Sequence, residues 1–299
     1  MKKKLKQQKY SASMLVRLLI PMVFVFVFQT VVMVLMFFNS DIIQQSVDNA
    51  YGILSEKVLN RKIIENEMVN RWSRIEDLHK KVLNVIQAEL SQNNMEIYQL
   101  ADRPDLQNRI LDILLPQLIY TARRNYVTGV FLVIDAPTPM IKVDEFLYPG
   151  LYIRNDDPAS YSSNNEDILV SRGPAEVVQK HNIALGGNWE PNFTISRSNK
   201  DSSCRYFNAP IFGVFRHPDW SPKDLGFWSP SFKLDHLSNE VVTYSIPIID
   251  KQGHIYGVIG IDLSAKYLQS FLNFDELDMS KEGIYCIAVH NTIYSFFEH

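Results

Sequence analysis

The stretch "TYSIPIIDKQGHIYGVIGIDLSAKYL", Thr243 to Leu268, reads as two strands joined by a tight turn and running into a helix. Both halves are rich in Val, Ile, Tyr and Thr, which suit the pleated surface of a sheet. Between them "DKQG" supplies turn chemistry, with Gly253 suited to a positive φ. Gly257 and Gly260 interrupt the second strand, and glycine inside a strand marks close approach by another element. Residues Leu263 to Leu272 continue as a helix.

Working upstream, a polar and aromatic region from Asn182 to Leu237 reads as loop-rich, with Trp189, Phe193, Phe207 and Trp220 among its aromatics. Before it come "YVTGVFLVID" (Tyr126 to Asp135) and "EFLYPGLYIRN" (Glu145 to Asn155), both of strand character. The polar loop "NDDPASYSSNNED" follows, and then "GPAEVVQKH" (Gly173 to His181), a short helix with Pro174 in its first turn. A helix is expected from Leu106 to Arg123, with Pro116 kinking or dividing it. From Asp41 to about Leu100 apolar residues recur every three or four positions, through Ile64, Met68, Trp72, Ile75, Leu78, Val82, Ile86 and Leu90. One long, nearly continuous helix is therefore expected. The order of elements predicts an α+β lobe with one antiparallel sheet flanked by helices. Its strands are expected near 127–135, 147–154, 241–249 and 254–262.

The chain has 299 residues, 46% of them hydrophobic, which is enough for two domains with real cores. Six basic residues (Lys2, Lys3, Lys4, Lys6, Lys9 and Arg17) precede the first acid, Asp41. The remainder is therefore acidic, which argues against nucleic acid as a partner. The segment "LLIPMVFVFVFQTVVMVLMFF", Leu18 to Phe38, carries no charge and spans roughly 30 Å as a helix. It is longer than the apolar core of a signal peptide and ends in bulky "MFFNSD" rather than a small-residue cleavage site. It is read as an uncleaved transmembrane helix (18–38). Residues 1–17 are expected as a cytoplasmic basic tail and residues 39–299 as extracytoplasmic, and the expected location is a cell membrane. Cys204 and Cys286 are either a bridge or two buried thiols.

No P-loop, G-x-S-x-G, H-E-x-x-H or supported nucleophilic cysteine is present, so no catalytic residues, cofactor or enzyme activity are assigned to this chain. His217 and His236 lie near acids without metal-ligand spacing, and no metal site is expected.

The anchor and long helix, "FWSPSF" (Phe227 to Phe232), "TYSIPI" (Thr243 to Ile248) and "YGVIGIDLS" (Tyr256 to Ser264) together resemble the double Cache sensor domains of bacterial transmembrane receptors. "EKVLNRKIIENEMVNRWSRIE", Glu56 to Glu76, is similar to the stalk of Cache sensors that precede diguanylate cyclase or histidine kinase modules. The resemblance implies a stalk and second helix (39–123), a PAS-like membrane-distal lobe that binds ligand (124–280), and the start of an unfinished membrane-proximal lobe (281–299). Residues 283–299 would be that lobe's first hairpin. It implies a small-molecule sensor, in a homodimer, whose output module lies outside this chain. The alternative is an anchored surface binding protein without signalling output.

In amine- and amino-acid-binding Cache lobes an aspartate ends the "GVxGxD" strand, matching Asp262; the nearest match to a second aspartate is Asp235. Two carboxylates among aromatics would hold an ammonium group. The nearest segment to the family's R-x-W-Y element is "CRYFNAP", which departs from it in placing Arg205 directly beside Tyr206. Tyr152, Arg154, Tyr206, Trp228, Tyr244 and Asp262 are expected around one cavity, because the 182–237 region must fold over a sheet face to bury its aromatics. Asp262 also reads as an N-cap of the following helix.

Overall fold

The computed structural model describes residues 2–38, 40–140, 144–197, 202–233, 240–271, 285–289 and 292–296. The chain divides into two compact units, Met1–Leu59 and Asn60–His299. In the first, α1 (Lys2–Phe38) contains the uncharged segment. Its stretch Val16–Met36 has mean hydropathy 2.6, is exposed along its length, and is long and apolar enough to cross a membrane.

The long helix expected from Asp41 to Leu100 is interrupted. α2 (Ser40–Glu67) ends in a π-helical turn, Met68–Trp72, and α3 (Glu76–Gln92) starts after a short turn. The apolar period runs on through the break, because Trp72, Ile75, Leu78, Val82, Ile86 and Leu90 are all buried in one core. The period alone therefore does not reveal the interruption. After a 3₁₀ turn at Ile97–Asp102, α4 (Pro104–Asn125) begins with Pro104 in its first turn and has Arg123 and Arg124 in its last, where they complement the helix dipole. Pro116 lies inside α4 without dividing it.

The strands in chain order are β1 (Gly129–Ile134), β2 (Thr138–Pro139), β3 (Glu145–Tyr148), β4 (Gly150–Arg154), β5 (Leu169–Arg172), β6 (Ala184–Glu190), β7 (Phe193–Ser196), β8 (Phe227–Trp228), β9 (Phe232–Lys233), β10 (Glu240–Ile249) and β11 (Ile255–Ser264). The main sheet has the order β6-β5-β4-β1-β11-β10-β8, with β9 also on β10. Its centre, β4-β1-β11-β10, is antiparallel and holds the four expected strands. β5 and β6 pair in parallel, so the sheet as a whole is mixed rather than purely antiparallel. "EFLYPGLYIRN" divides at Pro149: β4 joins the main sheet, whereas β3 joins β2 and β7 in a second, three-stranded sheet.

α5 (Ala175–Lys180) matches the expected short helix, with Pro174 at its N-cap. The region expected to be loop-rich holds β6 to β9 and a helix, α6 (Arg205–Arg216). Gly213 and Pro210 lower its intrinsic propensity, but Tyr206, Phe207, Pro210 and Val214 recur at helical spacing and are buried, so tertiary packing decides. β11 pairs with β10 as far as Ser264, which shortens the expected helix to α7 (Ala265–Gln269).

The sheet is covered on both faces. Leu132, Leu151, Ile153, Ile246, Ile259 and Ile261 join the α3 and α4 side chains in one core. Their strand neighbours Phe131, Val133, Tyr152 and Val258 join Tyr206, Phe207, Phe193 and Ile195 in a second core, on the α6 side. Each large apolar side chain so buried contributes about 1.5–3 kcal/mol. The residues 285–289 and 292–296 form an antiparallel pair, β12 (Tyr285–Val289) with β13 (Thr292–Phe296), at the position of the expected hairpin. Cys204, the N-cap residue of α6, is buried; the Cys286 side chain lies outside the described residues.

The hairpin turn forms at "DKQG" with Gly253 at φ 83°. Gly257 has φ 146°, and a Cβ there would overlap the Val133 carbonyl; one at Gly260 would overlap the Phe131 ring and the Tyr244 carbonyl. Gly257→Ala is therefore expected to lower unfolding free energy by at least about 2 kcal/mol in chemical denaturation. Gly187→Ala, with open space around the added methyl, should change it by less than about 0.5 kcal/mol.

Candidate functional site

β1 and β11 pair with Gly129 opposite Asp262, and β1 and β4 pair with Gly129 opposite Arg154. Asp262, Gly129 and Arg154 thus form one row across the sheet. Their side-chain positions fall on the α6 side, because facing residues of a pleated sheet share a face. Gly129 has no side chain, and the Asp262 carboxylate occupies the place where its Cβ would project. Asp262 is 2% exposed and lies within the sheet's cover.

Three groups hold it. The Tyr152 hydroxyl donates to Oδ2 in a short hydrogen bond. Thr128 Oγ1 lies 3.1 Å from Oδ1 and 3.1 Å from the Asp262 main-chain oxygen, so its single hydrogen is shared between them. The Thr128 amide also donates to that main-chain oxygen. In return Thr128 Oγ1 accepts from the Ser264 amide at 2.7 Å. Burial pushes the Asp262 carboxyl up to about 6, against the opposing pull of Tyr152, the Arg154 guanidinium and Thr128.

Around this group the face is aromatic and small. Tyr206 meets Phe131 edge-on at 5.1 Å and stacks on Phe232 at 5.6 Å. Ser245 Oγ donates to the Tyr206 carbonyl at 2.6 Å and fastens α6 to β10. Arg154 pairs with Asp156 at 2.9 Å beside Asp262.

The structure brings Tyr152, Arg154, Tyr206 and Asp262 to the same side of the sheet and separates the others. Tyr244 pairs with Ile261, not with Asp262, and both belong to the core under α3 and α4. Trp228 pairs with Tyr244 and packs against the same core, 5.1 Å ring to ring. Burial together with the nearby Glu76 and Asp224 carboxylates pushes the Tyr244 hydroxyl up to about 12. The expectation of a single cavity including Trp228 and Tyr244 is corrected by the two-residue alternation of β10. Arg205 is exposed, with its guanidinium 5.4 Å from the Phe227 ring centre. Asp235 lies outside the described residues. The capping role considered for Asp262 belongs to Ser264, whose Oγ accepts from the Tyr267 amide at 3.2 Å.

Thr128, Gly129, Phe131 and Ser245 were not anticipated. A signal for β10 exists in "VVTYSIPII", where Thr243 and Ser245 alternate with large apolar residues and mark the polar face. For Thr128 none exists, because its partner is 134 residues away. Among the described residues no cluster of three or more His, Cys, Asp or Glu side chains could hold a metal.

No family model and no curated protein matches this chain. Among solved structures it is similar to the ligand-binding domain of the Campylobacter jejuni chemoreceptor Tlp3. In its complex with 4-methylisoleucine that domain aligns at 15% identity and TM-score 0.28, over 65% of this chain and 59% of the other. In its complex with L-norvaline it aligns at 16% identity and TM-score 0.28, over 72% and 63%. The extracellular domain of soHK1S-Z6, described as a histidine kinase, aligns at 16% identity and TM-score 0.31, over 75% of this chain and 66% of the other. The chain thus spans less than two thirds of the length of the Tlp3 domains it resembles.

Proposed function

We propose that this chain is the extracytoplasmic small-molecule sensor of a homodimeric membrane receptor of the double Cache type, signalling through a diguanylate cyclase or histidine kinase module. Asp262 receives an ammonium group of an amine or amino acid on the α6 face. The observation that carries this reading is the buried Asp262 carboxylate, bonded to Tyr152 on the sheet face whose core also holds Phe131, Tyr206 and Phe232. Burying a lone carboxylate opposes folding, and a cation brought to it restores what water supplied. Aromatic faces add cation–π attraction. Arg154, on the same face, is the group best placed to meet a ligand carboxylate. The apolar Val16–Met36 helix provides the membrane anchor.

The electrostatics fix the direction of the pH dependence. The ordinary carboxyl value is 3.8, and Asp262 in the folded chain is raised to about 6. Between those values the folded state keeps a proton that the unfolded state has released. Stability therefore falls as pH rises through this window and is level above it, the loss being on the order of 3 kcal/mol. Asp262→Asn is expected to remove this component, so the difference in melting temperature between wild type and variant should change from pH 4 to 6.5 and then stay constant.

Ligand binding gives the direct test. Thermal-shift screening of the full chain against primary amines, amino acids and carboxylates should yield stabilising amines or amino acids. Affinity for them should tighten about tenfold from pH 5 to pH 7, because only ionised Asp262 receives the cation. Asp262→Asn should abolish the shift, whereas Trp228→Phe, on the opposite face, should preserve it. A hit indifferent to Asp262→Asn would exclude the site. A stabilised but unresponsive Asp262→Asn protein, with no hit in wild type, would leave Asp262 as a structural tie between β1 and β11.

A further inference from the structure

The two chain segments that hold Asp262 lead to one place. Tyr126, two residues before Thr128, is the left-handed C-cap of α4 at φ 53°, and its ring lies 3.9 Å from the Arg71 guanidinium. Asn125, immediately before it, donates through Nδ2 to the carbonyls of Arg74 and Trp72. On the other side Ser264 donates to Thr128 Oγ1 and caps α7. From α7 and the residues just after it, Tyr267 and Phe271 pack on Trp72 with ring centres 6.2 Å and 5.5 Å away. Arg71 and Trp72 belong to the π-helical turn Met68–Trp72.

The π turn adds one residue to the last turn of α2, and such turns concentrate at functional positions. Removing the excess would rotate Trp72 and the Ser73–Ile75 link after it by about 100° relative to α2 and shift them by about 1.5 Å. The end of α2 would then meet its neighbours in a second discrete arrangement, as a coupling element requires. The present arrangement is held by side-chain contacts at some cost. Trp72 is fully buried, and its indole N–H finds no acceptor among the described residues. Ser73 N–H closes the wide turn onto the Met68 carbonyl at 3.1 Å.

We propose that the π turn Met68–Trp72, clasped by Tyr126, Tyr267 and Phe271, is the regulatory joint through which the state of Asp262 reaches α2. It rests on the reading of Asp262 as the ligand-receiving group, and it assigns that site its mode of transmission. When a ligand cation takes the carboxylate, Thr128 directs its hydroxyl hydrogen to the main-chain oxygen of Asp262. The hydrogen bonds that set Ser264 and α7 change accordingly. The rings of α7 then release or grip Trp72, and the π turn passes between its two registers.

The test needs no ligand, because Asp262→Asn imposes the neutralised state. Hydrogen exchange is followed by mass spectrometry at constant pH 7.5 on the full 299-residue chain in lipid nanodiscs. Peptides from residues 64–76, 175–180 and 265–271 are compared. Asp262→Asn should change exchange about tenfold both in 265–271 and in 68–75, leaving 175–180, in α5, unaltered. Adding Phe271→Ala, a substitution at a half-buried ring, should keep the response in 265–271 and remove it from 68–75. The proposal is overturned if 68–75 does not respond to Asp262→Asn, or if it still responds in the double variant. Failure of the amine titration alone would remove the ligand reading and leave this exchange result standing.

Discussion

The antiparallel pairing of β1 with β11 is the constraint on which the rest depends. Its register places Gly129 opposite Asp262 and Ile134 opposite Gly257, at the two ends of the pair. At one end the missing Cβ leaves room for a carboxylate; at the other, Gly257 lets the backbone of β11 come against the Val133 carbonyl. Between them, alternate residues feed two cores of different character, aliphatic under α3 and α4, aromatic under α6. A slip of one residue would send Ile259 and Ile261 to the aromatic side and turn Asp262 towards α4. Burial on both faces makes that slip costly, so the site's geometry is a by-product of the core's.

The elements that were legible in the sequence are those whose signal is local. β1, β4, β10 and β11 stand out through β-branched and aromatic runs, and the turn at Gly253 through "DKQG". α3 and α4 show the period of their buried faces. The elements missed are those decided by distant partners. α6 carries Pro210, Gly213 and three phenylalanines, and is a helix because the aromatic core rewards it for burying Tyr206 and Phe207. The break at Met68–Trp72 preserves the apolar spacing on either side and so leaves no mark in the pattern.

The site divides in the same way. Asp262 was identifiable through the resemblance carried by "YGVIGIDLS", and Tyr152 from an aromatic strand. Trp228 and Tyr244 were misassigned because conspicuous aromatics give no indication of which face they occupy. The alternation of Thr243 and Ser245 with Tyr244 and Ile246 carried that information, since polar residues at every second position define a face. Thr128 could be found only through its hydrogen bonds, as could the transfer of the capping role from Asp262 to Ser264.

The turn between β10 and β11 has a further consequence, for tolerance of length change. Asp250 accepts from the Gln252 and His254 amides and from the His254 ring, each at 2.9 Å, and the hairpin's irregularity is confined to Ile248 and Ile249. The loop thus has a fixed residue count, locked by one carboxylate, on strands whose two sides are not interchangeable. Lengthening it by a single residue would exchange inner and outer identities along ten residues of β11. The polar segment Asp156–Glu166, bounded by strands but paired with none, carries no such phase. Reporter tags and evolutionary insertions alike would be accommodated there and rejected at the hairpin.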